Sequence, residues 1–149
     1  MEIISNNLTL DLEGGFPLST DSMLLADFVK LPKNAAVLDL GSGCGTLGLL
    51  LCARDAGCTV TGIELSEAAH AAALGNIGRN GLEARLSSIC ADLRTMPFEA
   101  GAFRICLSNP PYFSGGAAHS RNPAARGEDS CTLRDLFAAA ARALHWGCD

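Results

Sequence analysis

The 149-residue sequence has neither of the long apolar segments that direct a chain to or through a membrane. A membrane span needs about 18 apolar residues, and the longest apolar run here, residues 47–53, contains Gly48 and is followed by Arg54 and Asp55. The first residues lack the basic start and apolar block of a signal peptide. We therefore expect a cytoplasmic protein with no membrane partner.

A cysteine pattern typical of a metal site is also missing. The seven cysteines are odd in number, and they form no C-x-x-C pair or Cys/His cluster at ligand spacing. We expect reduced thiols, as in a reducing compartment, and no bound metal.

Positive charge is scarce and dispersed. The formal net charge is −5, with two lysines and nine arginines that form no basic run. A protein that holds a nucleic-acid duplex unaided usually carries a Lys/Arg footprint. The charge pattern of this chain shows no such footprint.

Strand and helix patterns alternate along the chain, which is typical of a parallel α/β sheet with right-handed crossovers. Residues 1–18 indicate short strand pieces around a Gly14-Gly15 turn. Strands are predicted at 35–40, 58–63, 85–90 and 103–108, and helices at about 20–30, 46–54, 66–79 and 132–145. The first helix has N-cap candidates at residues 19–21, and its apolar residues Leu24, Leu25, Phe28 and Val29 are expected on one face. We divide the chain into an N-terminal segment, 1–34, and an α/β domain, 35–149.

Polar residues follow all four predicted strands of the α/β domain. They are residues 39–45, Glu64, Asp92 and residues 109–112. Ligands of parallel sheets bind beyond the carboxyl ends of the strands. We therefore expect these residues to form one site.

The glycine-rich stretch after the first of these strands allows two interpretations. Residues 43–48 match G-x-G-x-x-G, and Glu64 lies about 20 residues on, as in a nicotinamide dehydrogenase. Asp39, however, stands just before the glycines, where it would repel a pyrophosphate. The same carboxylate would attract an ammonium or sulfonium group, so the sequence favours a cationic ligand.

The segment VLDLGSGCG, residues 37–45, resembles motif I of the class I S-adenosylmethionine-dependent methyltransferases. The resemblance implies a Rossmann-like fold with S-adenosylmethionine as cofactor. Asp39 would lie near its ammonium or sulfonium end, Glu64 would bind the ribose hydroxyls, and Asp92 would lie beside the adenine. The implied cofactor-binding residues are Asp39, Gly41, Ser42, Gly43, Glu64, Leu65, Asp92 and Leu93.

NPPY, residues 109–112, matches motif IV of the amino-methyltransferases. An exocyclic amine is a poor nucleophile because its lone pair is delocalised. The side-chain carbonyl of Asn109 and the backbone carbonyl of Pro110 can accept its two N–H bonds, which would direct the lone pair at a methyl group. Tyr112 offers a face on which an extruded base can stack. These three residues are the predicted catalytic set.

A narrower resemblance indicates the substrate. LSTDSMLLADFV (18–29), NPPYF, ARGE (125–128) and the helix 133–144 follow the order found in the bacterial tRNA adenine-N6 methyltransferase family. This implies adenine N6 in tRNA or another RNA as the acceptor. Two alternatives stay open: a protein-glutamine N5-methyltransferase, which shares NPPY, and a cofactor-binding fragment without activity of its own.

The number of strands departs from the family pattern. The family fold has seven strands, whereas this sequence predicts about four, so we expect the C-terminal strands to be missing from the chain. The fourth strand would then lie at an open edge of the sheet, and open edges template pairing with other chains. We therefore expect self-association through that strand.

Overall fold

The computed structural model describes residues 2–5, 8–11, 18–110 and 131–146. Within these ranges the predicted alternation of strands and helices is confirmed, and most element ends shift by one or two residues. In chain order the elements are β1 (Glu2–Ser5), β2 (Leu8–Leu10), α1 (Thr20–Phe28), β3 (Ala36–Leu40), α2 (Thr46–Arg54), β4 (Thr59–Glu64), α3 (Glu67–Arg79), β5 (Leu86–Cys90), a 3-10 turn (Leu93–Thr95), β6 (Ile105–Leu107) and α4 (Leu133–Ala143). No helix among the described residues has the length and apolarity needed to cross a membrane.

Four parallel strands form the main sheet, in the order β5-β4-β3-β6. The register pairs Leu40 with Ile63 and Asp39 with Leu107. The carboxyl ends of β3, β4 and β6 therefore lie side by side, and β5 continues the same edge next to β4. The polar residues that follow these strands are brought to one edge, as the sequence predicted.

Each face of the sheet carries its own apolar cluster. Val37 and Val60 pack with residues of α1, α2 and α3 on one face. Leu38 and Ile63 pack with α4 on the other. Successive side chains of a strand point to opposite faces, so Asp39 shares the face of Val37 with helices α1 and α2.

The two N-terminal strands pair with each other. β1 and β2 are antiparallel, with Ile3 opposite Thr9. The predicted turn at residues 14–15 lies outside the described residues. The side chain of Asn80, the residue after α3, accepts the N–H of Thr9 at 2.8 Å and donates to its carbonyl at 2.7 Å, which fixes β2 on the α/β unit.

Helix α1 turns a different face to the core than its apolar residues suggest. Leu25 and Val29 pack against the core, as expected. Leu24 and Phe28, assigned to the same face from the sequence, are 63% and 85% exposed. Ser22 occupies part of the buried stripe instead.

The fourth strand of the main sheet is shorter than predicted, and its edge is not open along its whole length. Phe103 forms a bridge with Leu144, the residue after α4. The Phe103 N–H donates to Ala143 O at 3.0 Å, and the His145 N–H donates to Phe103 O at 2.8 Å. The expectation of an open edge is therefore wrong at Phe103. Ile105 and Leu107 lie in the outermost strand of the described sheet.

Candidate functional site

A cavity of about 380 Å³ lies at the carboxyl edge of the main sheet. This volume is in the range of small-molecule binding sites. All eight cofactor-binding residues proposed from the sequence line it: Asp39, Gly41, Ser42, Gly43, Glu64, Leu65, Asp92 and Leu93. Asn109 and Pro110 line it too. The third predicted catalytic residue, Tyr112, lies outside the described residues.

The glycine loop between β3 and α2 forms the floor of the cavity. Gly41, Gly43 and Gly45 have φ angles of +74°, +55° and +85°. This left-handed region is readily accessible only to glycine, which explains the alternating pattern. The N–H groups of Gly41 and Ser42 both donate to Ile63 O, at 2.9 and 3.0 Å, so the loop is anchored to the end of β4.

Gly62 allows the loop to approach β4 closely. A Cβ atom at this position would lie 2.4 Å from Ser42 Oγ, and 2.6 Å from Ser42 Cβ, so a larger residue would displace the loop. This role of Gly62 was not among the sequence-based expectations. A glycine inside a strand is a general signal of close backbone approach, and here the approaching group belongs to the cavity floor.

Glu64 connects the end of β4 to the glycine loop. Its Oε2 accepts the Gly43 N–H at 2.9 Å, and its Oε1 accepts the Ser66 N–H at 2.8 Å. A carboxylate has about four lone-pair positions, so each oxygen can still accept another hydrogen bond. Glu64 can therefore hold the loop and bind a ligand hydroxyl at the same time.

Asp39 is a buried carboxylate that lacks a partner in the described part of the chain. It is 2% exposed, and its Oδ1 makes no hydrogen bond to any described residue. Burial, and secondarily the charge of Glu64, raises the Asp39 pKa from 3.8 to about 7. A buried charge is costly unless it is paired, so a cationic ligand in this cavity would stabilise the ionised form.

Asp92 forms an ion pair that the sequence analysis did not include. Its Oδ1 accepts the Arg94 N–H at 2.8 Å, and its Oδ2 lies 2.5 Å from the guanidinium of Arg94. These hydrogen bonds hold the Asp92 pKa below its usual value of 3.8. Asp92 thus stays ionised at neutral pH, and Arg94 itself lines the cavity.

The end of β6 is fixed from two directions. The Ser108 hydroxyl donates to Leu40 O at 2.7 Å, which holds the strand end against β3. The Asn109 side chain donates from Nδ2 to Ser22 Oγ at 2.8 Å and to Ser19 Oγ at 3.3 Å. From the sequence, Ser19 is only a candidate helix cap, and Ser22 has no expected role. No local pattern could reveal their contact with Asn109, because they are 90 and 87 residues away from it.

Asn76 in α3 is a second residue that the sequence analysis missed. Its side chain is fully buried. Its Nδ2 donates to Cys44 O and to Asp11 O, both at 3.0 Å, and its Oδ1 accepts the Asp11 N–H at 2.8 Å. Asn76 therefore joins the segment after β2 to the glycine loop. The sequence signal that could have indicated this role is a polar residue among the buried positions of α3.

Residues 18–147 match the family of methyltransferase small domains. The chain is 32% identical over 126 residues to a tRNA1(Val) (adenine(37)-N6)-methyltransferase of Shewanella sp. strain MR-4, which covers 83% of this chain and 53% of that protein. It is 34% identical over 131 residues to a protein of the same name from Aeromonas hydrophila, which covers 85% of this chain and 54% of the relative. The chain thus spans about half the length of these relatives.

Solved structures show the same fold. Geranyl diphosphate C-methyltransferase from Streptomyces coelicolor aligns with a TM-score of 0.65 and 20% identity, over 84% of this chain and 40% of the other. A putative S-adenosylmethionine-dependent methyltransferase from Methanococcus maripaludis aligns with a TM-score of 0.60 and 19% identity, over 84% of this chain and 49% of the other. The four-stranded sheet and its flanking helices therefore have the Rossmann-like architecture of class I methyltransferases, as the sequence predicted.

Proposed function

Because this chain belongs to the methyltransferase small domain family, we propose that it transfers a methyl group from S-adenosylmethionine to an exocyclic amine, namely adenine N6 in tRNA. The observation that carries the proposal is that the predicted cofactor-binding acids and the predicted acceptor-binding residues line one cavity. Acids from the ends of three strands, Asp39, Glu64 and Asp92, line it together with Asn109 and Pro110 from the end of a fourth.

The charge of the cavity fits the proposed cofactor. When bound, S-adenosylmethionine supplies an electrophilic methyl group on a sulfonium sulfur, and it also carries an ammonium group. The buried Asp39 carboxylate, without a partner among the described residues, would pair with one of these cations. A pyrophosphate, as in a nicotinamide cofactor, would instead meet the negative charges of Asp39 and Glu64.

The remaining acids would hold the nucleoside part of the cofactor. Each oxygen of Glu64 already accepts one backbone N–H and has a lone pair to spare for a ribose hydroxyl. Asp92, held by Arg94, and Leu93 would lie beside the adenine. Leu65 and the backbone of residues 41–43 complete this set.

Asn109 and Pro110 would hold the acceptor amine. Two carbonyl oxygens, one from the Asn109 side chain and one from the Pro110 backbone, would accept the two N–H bonds of the amine. The nitrogen could then become pyramidal and direct its lone pair at the methyl carbon. A nitrogen–carbon bond would form as the sulfur–carbon bond broke, and the nitrogen would afterwards release one proton to solvent. Tyr112 would stack on the extruded base.

The relatives' names favour tRNA over the other acceptors. Two relatives above 30% identity are named for adenine N6 in a valine tRNA. A tRNA acceptor would also place the protein in the cytoplasm, where tRNA is modified. A protein-glutamine methyltransferase would place a peptide amide in the same Asn109–Pro110 site.

We extend the proposal to assembly. β6 is the outermost strand of the described sheet, and an exposed edge of this kind pairs with other strands. Copies of the chain would associate through the part of this edge beyond the Phe103–Leu144 bridge.

A transfer assay with two acceptors tests the function. The purified protein is incubated with tritium-labelled S-adenosylmethionine and either unmodified tRNA or a glutamine-bearing release-factor peptide. The proposal predicts label in tRNA, recovered as N6-methyladenosine after digestion, and none with Asn109→Ala. Methylated glutamine would instead establish the peptide enzyme. Cofactor binding without transfer to either acceptor would indicate a cofactor-binding fragment without activity of its own.

A further inference from the structure

The N-terminal end of helix α1 contacts the proposed acceptor site. Asn109 Nδ2 donates to Ser22 Oγ at 2.8 Å and to Ser19 Oγ at 3.3 Å. All three residues line the cavity. Helix α1, which is far from Asn109 in sequence, therefore binds the NH2 group of the Asn109 side chain.

Both hydroxyls are themselves held in place. Ser19 is the N-cap of α1, and its Oγ accepts the Ser22 N–H at 3.1 Å. The two hydroxyl oxygens are 3.1 Å apart, and Ser22 is 7% exposed. When the Ser22 hydroxyl donates its only proton to Ser19 Oγ, its oxygen can only accept from Asn109, so it selects Nδ2 over Oδ1.

The far end of α1 is fixed as well. Arg54 of α2 donates to the carbonyls of Ala26, Asp27 and Val29. Helix α1 is thus anchored at both ends, so Ser22 is presented to Asn109 from a fixed frame.

The orientation of the amide decides its chemistry. Rotation about the last side-chain bond of asparagine has two broad, nearly equivalent minima, which exchange the carbonyl oxygen and the NH2 group. With Nδ2 bonded to Ser22 and Ser19, Oδ1 occupies the other arm. In the reversed orientation, Nδ2 would present N–H bonds to the N–H bonds of an acceptor amine, and the two would repel.

We propose that Ser22, assisted by Ser19, is a positioning residue that locks the Asn109 amide with Oδ1 towards the acceptor amine. The significance of this lock for catalysis rests on the proposed function, but its existence does not. Ser22 does not touch the transferred group and acts only through Asn109.

Ser22→Ala removes the lock without removing the helix cap. The cap bond runs from the Ser22 backbone N–H to Ser19 Oγ, so it survives the substitution. Alanine is also a better helix former than serine. Ser87→Ala is a matched control, because Ser87 is exposed on β5 and its hydroxyl bonds Thr61, outside the cavity.

The first measurement needs no methyl transfer. In protein labelled with ¹⁵N-asparagine, the side-chain NH2 signals of Asn109 are assigned by their loss in Asn109→Asp. We expect slow solvent exchange of these protons in the wild type and in Ser87→Ala, and at least about tenfold faster exchange in Ser22→Ala, since the shorter of the two hydrogen bonds is lost and only the one to Ser19 Oγ, at 3.3 Å, is left. Exchange that is unchanged in Ser22→Ala would overturn the proposal, whatever the protein methylates.

The second measurement separates positioning from a general structural role. Ser22→Ala should lower kcat by about 10- to 100-fold, a typical cost of misplacing a reacting group, with cofactor affinity unchanged. In the Asn109→Asp background both side-chain oxygens accept hydrogen bonds, so orientation no longer matters and Ser22→Ala should change kcat less than threefold. An equal loss in both backgrounds would refute the lock. Absence of transfer in the wild type would refute the proposed function and leave the exchange experiment to decide on Ser22.

Discussion

The Glu64 carboxylate accepts the backbone N–H of Gly43 at 2.9 Å, so the end of β4 and the glycine loop after β3 form one rigid unit. This bond joins two features that were recognised separately in the sequence. It gives the carboxylate a fixed position before any ligand arrives, and pre-organisation of this kind lowers the cost of binding.

Substitution of Glu64 should therefore weaken cofactor binding in two ways. Glu64→Ala removes both the acceptor for the ribose hydroxyls and the anchor of the loop. We expect a loss of about 1–3 kcal/mol in binding free energy, the usual cost of polar groups left without partners. Calorimetric titration with S-adenosylhomocysteine measures the loss. Glu83→Ala, at an exposed position away from the cavity, serves as the control, and equal affinities in the two variants would remove Glu64 from the site.

Asp39 should make stability depend on pH. Its pKa is raised from 3.8 to about 7 in the fold, so the folded chain retains a proton that the unfolded chain has lost. The free energy of unfolding should then fall as pH rises between about 4 and 7. Asp39→Asn cannot ionise and should be more stable than the wild type by about 3–5 kcal/mol at pH 8, since each unit of pKa shift corresponds to about 1.4 kcal/mol, with the difference vanishing near pH 4. Urea titrations at both pH values test this, and a constant difference would contradict it.

The same carboxylate should make ligand affinity depend on pH in the opposite sense. A cationic ligand binds the ionised form of Asp39, so affinity should rise with pH up to about 7 and then level off. S-adenosylhomocysteine keeps the ammonium group but lacks the sulfonium charge. A pH dependence shared by both ligands would place Asp39 at the ammonium, and one confined to S-adenosylmethionine would place it at the sulfonium. No dependence for either ligand would separate Asp39 from the cofactor.

Asn76→Ala should destabilise the fold around the glycine loop. The substitution leaves the Cys44 carbonyl and the Asp11 backbone groups without their side-chain partner. We expect the free energy of unfolding to fall by about 1–3 kcal/mol. Chemical denaturation measures it, with Asn34→Gly as the control, since Asn34 is exposed and has a φ of 56° that glycine adopts easily. A loss no larger than in the control would show that Asn76 is not a structural link.

Association through β6 can be tested at one backbone donor. Arg104 N–H faces β3 and Phe103 N–H faces Ala143 O, so by strand alternation the Ile105 N–H points to the outer edge. Ile105→Pro removes this donor and leaves the bonds to β3, because proline is tolerated on edge strands. Analytical ultracentrifugation should show concentration-dependent association for the wild type and a monomer for the variant. A wild type that is monomeric at all concentrations would refute association.

The sequence predicted the parts of this structure that depend on local patterns. Alternating strands and helices, and the glycine loop after β3, follow from periodicity and backbone conformation, and they determine where the strand ends meet. It could not predict contacts made by packing. Leu24 and Phe28 lie on the exposed side of α1, because a polar residue, Ser22, turns inward to Asn109.

Calorimetric titration of the purified protein with S-adenosylmethionine, S-adenosylhomocysteine and NAD is the most direct test of the central claim. We expect one site that binds both adenosyl ligands and does not bind NAD. Binding at this site should be weakened at pH 8 by Asp39→Asn and by Glu64→Ala. NAD binding tighter than either adenosyl ligand, or adenosyl binding that neither substitution affects, would contradict the assignment of this cavity.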